Sequence, residues 1–152
     1  MVDELHLEAA NQQRIRFKCN EDDICGNFDP KLLRQMLSNL LTNALKYSPK
    51  GDPVDLELNG EENQAILLVR DRGIGIPAND QIHLFEPFHR AQNTGTINGT
   101  GLGLAIVKKA VDLHQGTIYV QSEIDVGTTF TINLPLLNAK KFESGHDKSC
   151  PD

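Results

Sequence analysis

Residues 54–71, VDLELNGEENQAILLVRD, decide the fold. Val54, Leu56 and Leu58 alternate with polar residues, as in a strand with one buried face, and residues 65–71 form a second, more continuously apolar run. Asn59-Gly60 between them carries turn chemistry, so the stretch reads as two antiparallel strands. Just upstream, Asp29-Pro30 supplies a helix N-cap followed by proline at the first helical position, and Ser48-Pro49-Lys50-Gly51 supplies a stop. The implied helix over residues 30–47 therefore stands beside a hairpin rather than a single strand. A regular βαβαβ alternation is excluded, and the expected architecture is a two-layer α/β sandwich with a mixed, mostly antiparallel sheet and helices on one face.

Outward from there, Ile15, Phe17 and Cys19 alternate with Arg14, Arg16 and Lys18, which predicts a half-buried strand over residues 14–20. Residues 102–114 form an amphipathic helix with Leu104, Val107 and Val111 on one face and Gly116 placed to cap its end. Strands are expected over residues 117–122 and 128–134, the latter alternating Phe130, Ile132 and Leu134 before Pro135. Between Arg72 and Gly103 there are two glycine-rich stretches and little periodicity beyond a short helical candidate at residues 80–85. Irregular segments of that length in a compact domain commonly carry function. Residues 14–136 are thus the domain, residues 1–13 the remnant of an upstream linker, and residues 137–152 a tail expected to be disordered.

The 152 residues are 39% hydrophobic with a formal net charge of −6. That balance suits one globular domain and argues against a nucleic-acid partner, which usually meets a basic stripe. No apolar run reaches membrane-spanning length and the N-terminus has no signal-peptide layout, so no direct membrane contact and a cytoplasmic domain are expected. Cys19, Cys25 and Cys150 have no zinc-ligand spacing and read as reduced thiols, the first two as core residues.

Any phosphate bound by so acidic a chain must be held locally. On the 30–47 helix, Asn39, Asn43, Lys46 and Tyr47 share one face, opposite Leu33, Leu37, Leu40, Leu41, Ala44 and Leu45. Asparagine is a mediocre helix former, so two in a helix interior are unusual, although every amphipathic helix has a polar face. Asp71 ends an apolar strand directly before Gly73, Gly75, Ile76 and Pro77. It either terminates the strand or accepts from an amino group such as that of adenine. Residues 99–104, GTGLGL, open the next helix and gather unpaired N–H groups suited to an anion. A phosphate loop of the GxxxxGK[ST] type is absent from the sequence.

Taken in order, SNLLTNALKYSP, DRGIGIP, LFEPFHR and GTGLGLAIVKKAVDLHQGTI resemble the N, G1, F and G2 boxes of sensor histidine kinases, and VGTTFTINLP resembles their last strand. The resemblance covers about residues 14–136 and implies the Bergerat-type ATP-binding fold shared with DNA gyrase and the mismatch-repair ATPases. It implies ATP and Mg²⁺ as cofactors, with Asn43 as metal ligand, Asn39 ordering the same site and Lys46 on phosphate. Tyr47 would line the adenine and Asp71 would read its amino group, with Gly73 and Gly75 allowing close approach. Gly99, Thr100, Gly101, Leu102, Gly103 and Leu104 would wrap the phosphates at the base of a lid anchored by Phe85 and Phe88. Arg90 would reach the terminal phosphate, and Ile76, Phe88 and Thr129 complete the nucleotide-contacting set.

The resemblance also bears on activity. In the family's hydrolases and serine kinases a glutamate one turn before the magnesium asparagine is the general base; here that residue is Asn39. An amide cannot take up a proton at neutral pH, whereas a neutral imidazole acceptor already has its lone pair. The implied activity is histidine kinase, ahead of a gyrase-type conformational ATPase or a non-catalytic nucleotide-binding domain. The partners implied are a helical dimerisation and phosphoacceptor domain of the same kinase and a response regulator receiver domain. Nothing in the sequence matches the phosphoacceptor motif, and His6, His83, His89, His114 and His146 read as surface or capping residues.

Overall fold

The computed structural model describes residues 14–20, 28–48, 52–61, 63–88 and 103–136. Its elements are β1 (Ile15–Cys19), α1 (Pro30–Tyr47), β2 (Val54–Glu61), β3 (Gln64–Asp71), α2 (Ala78–Gln81), α3 (Gly103–Leu113), β4 (Thr117–Glu123) and β5 (Gly127–Pro135). The strands form one sheet in the order β1-β2-β3-β5-β4. Only β1 and β2 pair in parallel; the other three ladders are antiparallel. The expected two-layer α/β sandwich with a mixed, mostly antiparallel sheet is the fold observed.

Local chemistry explains the helices. The Asp29 side chain accepts from the N–H groups of Lys31 and Leu32 at 3.0 and 3.4 Å, Pro30 occupies the first turn and Lys46 the last. The helix ends where Ser48 turns extended ahead of Pro49. Met36, Leu37, Leu40, Leu41, Ala44 and Leu45 of α1 meet Val107, Ala110 and Val111 of α3 above alternate strand residues, among them Val54, Leu56, Val69, Phe130 and Ile132. Both long helices therefore cover the same face of the sheet. Truncating a fully buried leucine such as Leu40 or Leu41 to alanine would cost about 2–5 kcal/mol. Among the described residues no helix is long and apolar enough to cross a membrane.

Two local expectations need correction. Asn59-Gly60 does not turn the hairpin: Asn59, Gly60 and Glu61 continue the ladder opposite Ile66, Ala65 and Gln64. The chain reverses between Glu61 and Gln64, where Asn63 takes φ 69°, a left-handed conformation that asparagine tolerates better than most residues. Second, β1 alternates as expected but buries little, because it is the edge strand: Ile15 reaches the core, Phe17 is 52% exposed and Cys19 is exposed rather than a core residue. Gly116 caps α3 as expected, its N–H closing the helix on Val111 O at 2.9 Å, with Gln115 before it left-handed at φ 59°.

His114 does cap, and does more. Its Nε2 accepts the Asp29 N–H at 3.0 Å and its Nδ1 lies 2.8 Å from Ala110 O. A backbone N–H can only donate and a carbonyl can only accept, so the ring is held as the Nδ1–H tautomer. The C-terminus of α3 is thereby tied to the N-terminus of α1.

Candidate functional site

The polar face of α1 meets the start of α3. A Cβ built on Gly103 would lie 3.6 Å from Asn39 Oδ1 and 3.8 Å from Asn43 Nδ2, so both carboxamides stand beside the first residue of that helix. Leu104 turns toward the core as a partly buried residue. Lys46 places Nζ 5.6 Å from the centroid of the Tyr47 ring, a cation–π arrangement that keeps a positive charge near the end of α1.

The other half of the site is the turn that follows β3. Asp71 is only 9% exposed, and its Oδ1 accepts from Gly73 N at 2.9 Å and Thr128 N at 3.2 Å. Oδ2 makes no hydrogen bond among the described residues. Burial raises the pKa of this carboxyl above its ordinary value, and the two N–H donors only partly offset the effect. A buried carboxylate with one oxygen fixed by the backbone and the other unengaged among the described residues is an oriented acceptor.

The turn itself is clamped from three sides. Ile74 N–H donates to Tyr47 O at 3.2 Å, and Ile76 N–H to Ser122 Oγ at 2.8 Å. Gln81 Nε2 donates to Ile76 O at 2.9 Å and Ser122 O at 3.3 Å. Two glycines permit this proximity. A Cβ on Gly73 would come within 2.3 Å of Tyr47 O, and one on Gly75, which also has φ 76°, within 2.2 Å of Glu123 O. Gly73→Ala should therefore push the turn off α1. The expected result is a loss of nucleotide affinity of at least about tenfold, with the sheet core retained, checked by calorimetry beside circular dichroism.

The structure rearranges part of the expected residue set. Asn39, Asn43, Lys46 and Tyr47 lie along one helix face, and Asp71, Gly73, Gly75 and Ile76 lie in one turn joined to Tyr47. Thr129 is on the wrong face: Thr128, Phe130, Ile132 and Leu134 point to the core, so Thr129 pairs with Arg70 and Gln121 on the open side of the sheet. Strand alternation gives its place to Thr128, whose N–H holds Asp71 and whose Oγ1 lies 2.7 Å from Ser122 Oγ. The alternation of Phe130, Ile132 and Leu134 already carried that signal. Ser122 and Gln81, which fasten the turn, had no comparable signal in the sequence. Phe85 packs edge-on against Phe130 with centroids 6.4 Å apart, whereas Phe88, at φ 65°, is 73% exposed and anchors nothing to the described core. Arg90, Gly99, Thr100, Gly101 and Leu102, with the lid between them, lie outside the described residues, as do His6, His89 and His146.

With helices over one face of a mixed sheet and the site set between the first long helix and a glycine turn, the layout is that of the histidine kinase- and gyrase-type ATPases. The chain belongs to this family: residues 28–138 match the model described as histidine kinase-, DNA gyrase B-, and HSP90-like ATPase. Sensor histidine kinase WalK of Bacillus subtilis (strain 168) is 40% identical over 135 residues, covering 85% of this chain and 22% of WalK. Among solved structures, the mycobacterial sensor histidine kinase MprB superposes with a TM-score of 0.73 at 33% identity, covering 88% of this chain and 92% of that one. Full-length ShkA in complex with AMPPNP superposes with a TM-score of 0.68 at 28% identity, covering 88% of this chain and 28% of that one. The chain spans only 12% to 26% of the length of the curated relatives it matches.

Proposed function

We propose that this domain binds Mg-ATP between α1, the Asp71 turn and the start of α3. It then donates the γ-phosphoryl group to a histidine on the helical dimerisation and phosphoacceptor domain of the same kinase, from which a response regulator receiver domain is served. The observation that carries the reading is Asp71: Oδ1 is spent on two backbone N–H groups and Oδ2 is left as a fixed acceptor for an exocyclic amino group. WalK and MprB are sensor histidine kinases, and ShkA was solved with AMPPNP.

The residues fit a magnesium ion that arrives with its nucleotide. Among the described residues no group of three or more His, Cys, Asp or Glu is placed to hold a metal. Two neutral carboxamides, Asn39 and Asn43, stand together instead. That donor set suits an ion whose remaining ligands are phosphate oxygens and water. Asn43 would hold it through the amide oxygen, and the ion would supply neutralisation of phosphate charge. Asn39 orders the adjoining face, Lys46 adds a cation, and the N-terminus of α3 directs N–H groups at the phosphates. With an amide at residue 39 the described site has no general base for water, so positioning is the domain's contribution to transfer.

Calorimetry on the folded chain should show ADP and ATP binding that strengthens when Mg²⁺ is added. A folded sample that bound neither nucleotide would sink the reading.

A further inference from the structure

On the open face of the sheet, one carboxylate joins the first strand to the nucleotide turn. Asp55 of β2 accepts Arg16 Nε at Oδ1, 2.8 Å, and Arg72 Nη2 at Oδ2, 2.9 Å. Arg72 also donates Nη1 to Pro53 O at 2.8 Å, so its guanidinium is held by two fixed acceptors. Arg72 stands between Asp71 and Gly73, the two residues whose hydrogen bond orients the free Asp71 oxygen. Arg16 belongs to β1, an edge strand that buries only Ile15 and is otherwise held by its ladder to β2.

We propose that Arg72 is a positioning residue for Asp71, and that the Arg16–Asp55–Arg72 relay couples nucleotide affinity to the seating of β1. This rests on Asp71 as the amino-group acceptor of the site proposed above. When β1 is seated, Arg16 fixes one carboxylate oxygen of Asp55 and the other is presented to Arg72. When β1 lifts, Asp55 loses that restraint and rotates, and the guanidinium beside Asp71 loses one of its two anchors. Burial pushes the Asp55 carboxyl up in pKa, but the hydrogen bonds and charges of Arg16 and Arg72 outweigh burial and hold it below its ordinary value, so the relay is ionised through the neutral range. Coupling of this kind is reciprocal: a nucleotide that prefers the aligned turn must also favour seated β1.

The test uses the whole chain with ADP and Mg²⁺. Arg72→Met should weaken ADP binding about threefold to tenfold, and Arg16→Met about twofold to threefold. The double variant should be no weaker than Arg72→Met alone, because the relay is already cut. Arg72→Lys, keeping charge and one donor path, should recover part of the loss. ADP should slow hydrogen exchange at the amides of residues 16–19 in the wild type and leave them unchanged in Arg72→Met. Asp55→Asn, which can accept at one oxygen only and so keeps at most one of the two guanidinium bonds, serves where Arg72→Met does not fold, and should weaken ADP binding at least as much as Arg16→Met and no more than Arg72→Met. Additive losses, or β1 exchange indifferent to ADP in a wild type that binds it, would overturn the relay while leaving the site reading intact. A wild type that does not bind ADP would overturn both.

Discussion

Asp71→Asn should weaken ATP and ADP binding by roughly a hundredfold while leaving the fold as stable as before or slightly more so. Only an oxygen can accept from both Gly73 N–H and Thr128 N–H, so the amide of Asn must turn its oxygen into the place of Oδ1 and its NH₂ into the place of Oδ2. The site would then meet the adenine amino group with a donor, which replaces one hydrogen bond by a repulsion. Stability is expected to move the other way because the native pKa is raised by burial. A carboxyl whose folded pKa lies above its unfolded one binds more protons when folded. Its charge therefore opposes folding at neutral pH, and that cost is relieved as pH falls through the folded pKa. The same direction gives a pH signature: as pH is lowered, ADP affinity in the wild type should begin to fall while the pH is still above the ordinary carboxylate range, because protonated Oδ2 becomes a donor. Asp71→Asn should lack this signature. Calorimetry across pH, beside thermal melting, checks both halves; an affinity within threefold of wild type would contradict the role given to Asp71.

Asn43→Ala should reduce phosphoryl transfer to a histidine-bearing helical domain supplied in trans on the order of a hundredfold or more. Asn43 is half-buried on the polar face of α1 and alanine is the better helix former, so the fold is expected to persist. What disappears is the neutral oxygen proposed to hold magnesium, and with it the part of ATP affinity that depends on the ion. The wild-type chain alone should neither phosphorylate itself nor hydrolyse ATP quickly, since the amide of Asn39 cannot take up a proton from water. Transfer in trans should be slow relative to a linked kinase, because the two halves lose the effective concentration their linker provides. A labelled-ATP assay with and without the helical domain decides the matter. Rapid acid-labile labelling of the chain by itself would mean that one of its own histidines is an acceptor.

Much of this was legible in the residues, and the pattern of success follows the range of the forces. The limits of α1 were plain because Asp29, Pro30 and the Ser48-Pro49 stop act within a few residues. The two halves of the site were legible as helix periodicity around Asn39 and Asn43 and as a carboxylate before Gly73 and Gly75. Failures came where a distant partner decides. Asn59-Gly60 is good turn chemistry, but a longer ladder to β3 keeps both residues in the strand. Cys19 looked like a core residue until β1 proved to be the sheet edge. Ser122 acquires its role only because β4 lies beside β5 and the Asp71 turn folds back to reach it.

The place of β5 governs how this chain can be made. It is the last described strand in sequence and yet sits inside the sheet, paired on one side with β3 and on the other with β4. The ladder with β3 joins Asp71 to Thr128 and Gln64 to Pro135, so the strand pairings of longest sequence range are also the ones that complete the centre of the sheet. A nascent chain that has left the ribosome only as far as α3 can form the β2–β3 hairpin and α1 but leaves one edge of β3 and the Phe130, Ile132 and Leu134 portion of the core unmade. Folding is thus deferred until nearly all of the domain has been synthesised. A premature stop between β3 and β5 would leave the β5 side of β3 unpaired, an apolar strand edge open to other chains, and is expected to yield aggregate in place of a weakened domain.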